Sequence, residues 1–134
     1  MNKKYKTWNI VRSIVLILTI FYIFYQTFVK RHLNIIEINK FQKYTIAHTK
    51  SINRSAKGTD YIEFIYYIKN KKYNGDTFYE NYIKVPNGRY FVKFSEKNPW
   101  KNYLLDRIPV PDSIISAPPE GWDELPIKIM KNRK

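Results

Sequence analysis

Residues 61–69 read YIEFIYYIK, and their alternation decides the class of fold. Successive side chains of an extended strand point to opposite sides. Ile62, Phe64, Tyr66 and Ile68 therefore share one face, and Tyr61, Glu63, Ile65, Tyr67 and Lys69 share the other. β-branched and aromatic residues dominate the run, as suits a pleated, half-buried surface. A strand is predicted here.

Towards the C-terminus, Asn70-Lys71 reads as a tight turn into a second strand from Lys72-Tyr73-Asn74, with Gly75 marking a bulge or a turn. Residues 77–85 (TFYENYIKV) continue in extended form. Pro86-Asn87-Gly88-Arg89 is a turn, because Pro presets φ and Gly supplies a positive φ. Residues 90–94 (YFVKF) form another strand, with Tyr90, Val92 and Phe94 on one face. Towards the N-terminus, 44–49 (YTIAHT) reads as a strand and 51–59 (SINRSAKGT) as a polar loop. Residues 32–41 (HLNIIEINKF) fit either a helix or a strand.

About four or five short strands at hairpin spacing predict a small mainly-β domain, an antiparallel sheet or open barrel. Its apolar face needs a cover and its edges need protection. Lys97-Asn98-Pro99-Trp100 is a turn, and 102–107 is expected to form a short helical turn. Beyond it, Pro109, Pro111, Pro118, Pro119 and Pro126 exclude regular helix. Ile114, Ile115, Trp122 and Leu125 suit packing of this extended segment over the sheet; the alternative is a free arm that docks on a partner.

At the other end of the chain, 10–29 reads IVRSIVLILTIFYIFYQTFV. Twenty helical residues rise about 30 Å, the thickness of a bilayer's hydrocarbon core. Ile10, Ile14, Leu16, Leu18, Phe21, Phe24 and Phe28 are the expected membrane anchor. Trp8, Arg12, Lys30 and Arg31 are the expected interfacial residues, Arg12 reaching the headgroups through its long side chain. The exit Gln26-Thr27-Phe28-Val29 lacks the small residues of a cleavage site, so an uncleaved signal-anchor is expected. Lys3, Lys4, Lys6 and Arg12 nearly balance Lys30, Arg31, Lys40 and Lys43. The short basic tail favours an N-in, C-out orientation in a bacterial inner membrane.

The layout is then a basic tail at 1–9, a transmembrane helix at 10–29, a juxtamembrane segment at 30–42, a β domain at 43–107 and a proline-punctuated segment at 108–134 packing on it. The 134-residue chain carries a formal charge of +13 and no cysteine. Disulfides, thiolate catalysis and cysteine-held metals are excluded. The charge favours acidic proteins, anionic lipid or nucleic acid as partners. Lys greatly outnumbers Arg and the cations are scattered, as AT-rich codon usage produces and as nucleic-acid sites do not.

Four segments carry a resemblance: KYTIAHTKSI (43–52), YIEFIYYIKNKKYNGD (61–76), RYFVKFSEKNPWKNYLL (89–105) and PVPDSIISAPPEGW (109–122). Their pattern is a hairpin with Tyr66, Ile68, Asn70, Lys71, Tyr73 and Gly75, a strand and turn with Tyr90, Val92, Phe94, Ser95, Asn98 and Pro99, then Pro109–Asp112 and Gly121-Trp122. Together they resemble a family of small single-pass membrane proteins from Bacteroidetes-type bacteria. In that family one N-terminal helix precedes a compact β domain of unknown function. The resemblance spans roughly 43–125 and implies the architecture, with no activity, cofactor or site residue to carry over.

No catalytic constellation is read. His32 and His48 lie in separate segments without a partner at metal-ligand spacing, and there is no Gly-rich phosphate loop, G-x-S-x-G or H-E-x-x-H. Glu120, Asp123 and Glu124 read as solvated residues of the C-terminal segment. No cofactor, metal or small-molecule substrate is expected. Besides the bilayer, the expected partner is another protein, met through aromatic and basic residues: Tyr61, Tyr67, Lys69, Trp100 and Trp122. The chain is expected to be a non-catalytic, membrane-anchored interaction module or accessory subunit of a membrane or envelope complex. The alternative is a surface binder of anionic lipid or nucleic acid.

Overall fold

In the computed structural model, residues 3–56 and 58–128 are described. The first two residues of the expected tail, Lys57 in the polar loop and the last six residues of the C-terminal segment lie outside them. The chain divides into two compact units, Met1–Ile36 and Glu37–Lys134.

The first unit is helical. Helix α1 (Lys3–Phe24) passes through a π-helical turn (Tyr25–Val29) into helix α2 (Lys30–Lys40). Helix therefore begins inside the expected tail, and the ambiguous stretch from His32 is helical to Lys40. One helix, Lys6–Lys40, is long and apolar enough to cross a membrane, and none of its most apolar window is buried in the protein. Ile10, Ile14, Leu16, Leu18, Phe21, Phe24 and Phe28 are all exposed, as are Trp8, Arg12, Lys30 and Arg31. The polar side chains of the span turn inward on their own helix. Ser13, Thr19 and Thr27 hydroxyls donate to the carbonyls of Asn9, Val15 and Ile23 at 3.0, 2.8 and 2.8 Å. Gln26 Nε2 donates to Tyr22 Oη at 3.1 Å. Such internal satisfaction is what hydrocarbon demands of a spanning segment.

The second unit is an open five-stranded antiparallel sheet. Its strands are β1 (Gln42–Asn53), β2 (Tyr61–Ile68), β3 (Lys71–Phe78), β4 (Arg89–Ser95) and β5 (Asn102–Pro109), in the order β3-β2-β1-β4-β5. The alternation of 61–68 holds. Ile62, Phe64 and Tyr66 have no exposed surface, and Tyr67 on the other face is 52% exposed. The inner face gathers Ala47 of β1, Tyr90, Val92 and Phe94 of β4 and Leu104 of β5 into one core with them. Tyr66 sits at its centre, its ring against Tyr73 and Phe94, and its hydroxyl donates to the Pro99 carbonyl.

The structure departs from the sequence reading at several places, each for a physical reason. The β2–β3 turn is Lys69-Asn70, one residue earlier than expected. Both residues have positive φ, 49° and 64°, as a two-residue hairpin turn matching the strands' twist requires. β1 runs past the expected loop boundary to Asn53, because Ile52 still pairs with Ile62 after an irregularity between Thr49 and Ser51. Residues 102–107 are strand rather than a helical turn, since Leu104 and Asn102 pair with Val92 and Phe94 of β4. The extended run expected to Val85 stops at Phe78. β4 does not pair with β3 but lies beyond β1, so the chain must leave the sheet and cross over its inner face. Ile83 of this crossing loop is buried in the core. Thr49 pins the loop: its hydroxyl donates to Lys84 O at 2.7 Å and accepts from Gly88 N at 2.8 Å.

Gly75 forms no bulge, because pairing runs unbroken from Ile68–Lys71 to Tyr61–Phe78. Its role is close approach. A Cβ there would lie 2.5 Å from the Phe64 ring and 2.2 Å from Asn102 Oδ1. Asn102 Nδ2 also donates to Asn74 O at 3.3 Å. The sheet thus curls until its two edge strands approach, and β5 reaches β3 through a side chain instead of a ladder. Gly75→Ala is expected to destabilise the full chain by about 1–3 kcal/mol through overpacking. Chemical denaturation in detergent checks this; a neutral or stabilising effect would show that the edges do not meet.

Candidate functional site

The outer face of the sheet is covered unequally. Over β1, β4 and β5, Ile46, Phe91 and Val110 form a second core, and Ile114, Ala117, Trp122, Leu125 and Ile127 of the C-terminal segment pack against it. We call residues 110–127 the strap. Val110 N donates to Arg89 O at 3.0 Å, and Lys69 N donates to Pro119 O at 2.7 Å. Tyr44 and Trp122 exchange backbone hydrogen bonds at 2.8 and 2.7 Å, filling the edge of β1 that β2 has vacated. Gly121 makes this possible: its φ is +80°, and a Cβ would lie 2.6 Å from Tyr44 O. The Trp122 ring meets Phe91 edge-on, with centroids 6.1 Å apart.

The strap leaves the outer face of β2 and β3 bare. Tyr61 and Phe78 face each other across the strands with ring centroids 5.3 Å apart, and Tyr67 stands further along the same face. Between this bare face and residues 115–119 of the strap lies a cleft of about 290 Å³. Ile46 and Tyr67 contribute apolar surface, Ile115 stands almost fully exposed at the rim, and His48 and Lys69 supply polar groups. Arg89, opposite His48 in the β1–β4 register, donates to the carbonyls of Ile114 and Ile115 and so holds the strap that forms the far wall.

Of the expected partner-surface residues, Tyr61, Tyr67 and Lys69 share this outer face. Trp100 and Trp122 are not brought to it. Trp100 packs edge-on against Tyr73, whose side chain belongs to the inner core. Trp122 is a half-buried residue of the strap, packed on Phe91. Trp100 is nevertheless surface, 57% exposed, whereas a tryptophan in a proline-rich segment such as Trp122 carries no local sign of the packing it joins. Register adds Phe78 of β3 and His48 of the neighbouring β1, with Glu63, Ile65, Lys72, Asn74 and Asp76 between and beside the aromatics.

Among the described residues, four lysines form ion pairs with carboxylates. Lys43 meets Asp123 at 3.2 Å and Glu96 at 3.5 Å, Lys50 meets Glu63 at 3.4 Å, Lys69 meets Glu120 at 3.4 Å and Lys101 meets Glu37 at 2.6 Å. Among the described residues, no group of three or more His, Asp or Glu side chains could hold a metal ion. No family model, curated protein or solved structure matches the chain.

Partial burial, and then the positive charge of Arg89, push the His48 pKa below its ordinary value. Neutral His48 therefore contributes stability that is present above about pH 6.5 and is lost as pH falls through the lowered value. An NMR titration of the full chain should place the His48 midpoint below the ordinary histidine range. The His48→Gln variant should lose less stability than the natural chain between neutral and mildly acidic pH. A midpoint at or above the ordinary value would mean that the imidazole does not lie beside Arg89 at the strap.

Proposed function

We propose that this chain is a non-catalytic, membrane-anchored β domain that binds another protein, as an accessory or interaction subunit of a membrane or envelope complex. The observation that carries this reading is the bare aromatic face of β2 and β3. A small domain covers its apolar sheet faces wherever it has chain to do so, and the strap covers only the β1–β4–β5 side of the outer face. Contiguous exposed aromatics rimmed by charged residues mark interaction sites. Tyr61 and Phe78 form one exposed aromatic pair, 36% and 57% exposed, and Tyr67, 52% exposed, stands at the other end of the same face beyond Glu63 and Ile65.

The non-catalytic reading is supported by what surrounds the cleft's one imidazole. Its neighbours are Tyr67, Lys69 and Arg89, and no carboxylate stands among the cleft's lining residues to orient or activate it. A polyanion-binding role is less well supported, because the cations are spread along the chain and form no stripe.

The long apolar helix supports an uncleaved signal-anchor in a bacterial inner membrane. With the short basic segment before it inside, the β domain lies outside, N-in and C-out. The chain's resemblance to small Bacteroidetes-type membrane proteins agrees with one N-terminal helix preceding a compact β domain.

A photo-crosslinking residue at Tyr67 or Phe78 of the membrane-bound full chain is expected to give one discrete protein adduct, and the same residue at Tyr103 is expected to give none. Equal, diffuse labelling from all three positions would contradict a protein-binding face on β2–β3. A reporter fused after Lys134 is expected to show extracytoplasmic activity; cytoplasmic activity would reverse the orientation.

A further inference from the structure

The cleft beside the strap has an apolar floor and a cationic end, a combination suited to an amphipathic anion. The strap itself shows how this end of the sheet takes an extended segment. From Ile114 to Pro119 it lies beside the outer face as extended, proline-punctuated chain, and at Glu120–Asp123 it turns over the end of β2 next to Phe94 of the inner core. Arg89 takes the carbonyls of Ile114 and Ile115, the Lys69 amide donates to Pro119 O, and Lys69 and Lys43 meet Glu120 and Asp123. The domain thus already recognises one extended acidic segment, its own, through backbone hydrogen bonds and lysines.

A second such segment has room alongside. Tyr67 stands opposite Lys72 on β3, so Lys69, Lys72, His48 and Arg89 surround this end of the bare face. Glu63 and Asp76 lie further along the same face, and Glu120, which meets Lys69, offsets it weakly. The two side chains are 69% and 63% exposed, and ion pairs so exposed contribute little and exchange readily.

We propose that the cleft between the strap and strands β1 and β2 binds an extended acidic peptide segment of a partner protein. One apolar side chain is seated between Ile46, Tyr67 and Ile115, and carboxylates meet Lys69 and Lys72. This rests on the protein-interaction reading and adds the partner's chemistry and the place where it lies. Charge complementarity selects an acidic segment, and the apolar floor together with the strap's own mode of binding selects extended polypeptide over a lipid headgroup.

The test uses the full chain in zwitterionic nanodiscs. The probes are a fluorescent peptide of about ten alternating Glu and Leu residues, its Gln–Leu counterpart, and phosphatidylglycerol vesicles as competitor. The Glu–Leu peptide is expected to bind with an affinity that falls steeply with salt, and to shift the NMR signals of His48 and Tyr67. The Gln–Leu peptide should bind at least about fivefold more weakly, and Lys69→Glu should weaken the Glu–Leu peptide about tenfold. Tyr103→Ala, far along β5, should leave it unchanged. Equal binding of the two peptides, indifference to Lys69→Glu, or displacement of the peptide by the vesicles would each overturn the proposal. If the peptide fails while the Tyr67 photo-crosslink still yields one partner, the acidic-segment inference falls and the interaction reading stands. If both fail, the interaction reading falls with it.

Discussion

The ring of Phe64 occupies the space where a side chain at residue 75 would be. Much of the β unit depends on that contact. With Gly75 there, the inner face of β3 can close down on β2 and bring the outer edge of β3 to Asn102 on β5. The resulting curl creates an interior for Phe64, Tyr66, Phe94 and Leu104, none more than 2% exposed. It also brings together the two edges that a flat sheet would present for unwanted pairing. The clasp is made by an amide side chain, so the sheet stays open and its ends must be closed by other chain. The crossing loop with Ile83 closes one end, pinned by Thr49. At the other, the turn carrying Pro99 and Trp100 lies against Tyr66 and Tyr73.

Curling gives the inner face a core but leaves the outer face of a small sheet without one. The strap answers this for part of the surface, and its proline spacing suits the task. A segment that cannot form helix lies extended beside β1, where Trp122 stands in for the missing end of β2. The strap runs over the β1–β4–β5 side, so β2 and β3 keep their outward aromatics. The site is therefore a remainder: the part of an apolar face that the chain's own C-terminal segment does not cover. The strap's acids meet Lys69 and Lys43 at the end of the sheet beside this face.

Much of this was legible in the sequence, and the exceptions share a cause. The inner row of β2 and its partners in β4 could be read because alternation is a local property of extended chain. The apolar helix could be read because length and composition suffice for it. Three features depended on pairing that no single segment records. β5 resembles a helical turn until Leu104 is placed opposite Val92. The stretch after Phe78 reads as strand until the strand order requires it to cross over the sheet. Gly75 reads as a bulge until Phe64 and Asn102 converge on it. The site was half legible for the same reason. Tyr61, Tyr67 and Lys69 belong to one strand face and were found together, whereas Phe78 and His48 join them only through register. Trp122 reads as surface from its context, and the folded chain packs it against Phe91; Trp100 is exposed, on the far side from this face.

The claim on which the rest stands is that the sheet curls until β3 and β5 meet at Gly75. A nuclear Overhauser spectrum of the full chain in micelles reads this directly. The account predicts cross-peaks from the Gly75 Hα protons to both the Phe64 ring and the Asn102 side-chain amide. Cross-peaks from Gly75 to Phe64 alone, with none to Asn102, would describe a flat, unclasped sheet. In that case neither the inner core nor the cover over its outer face could be as described.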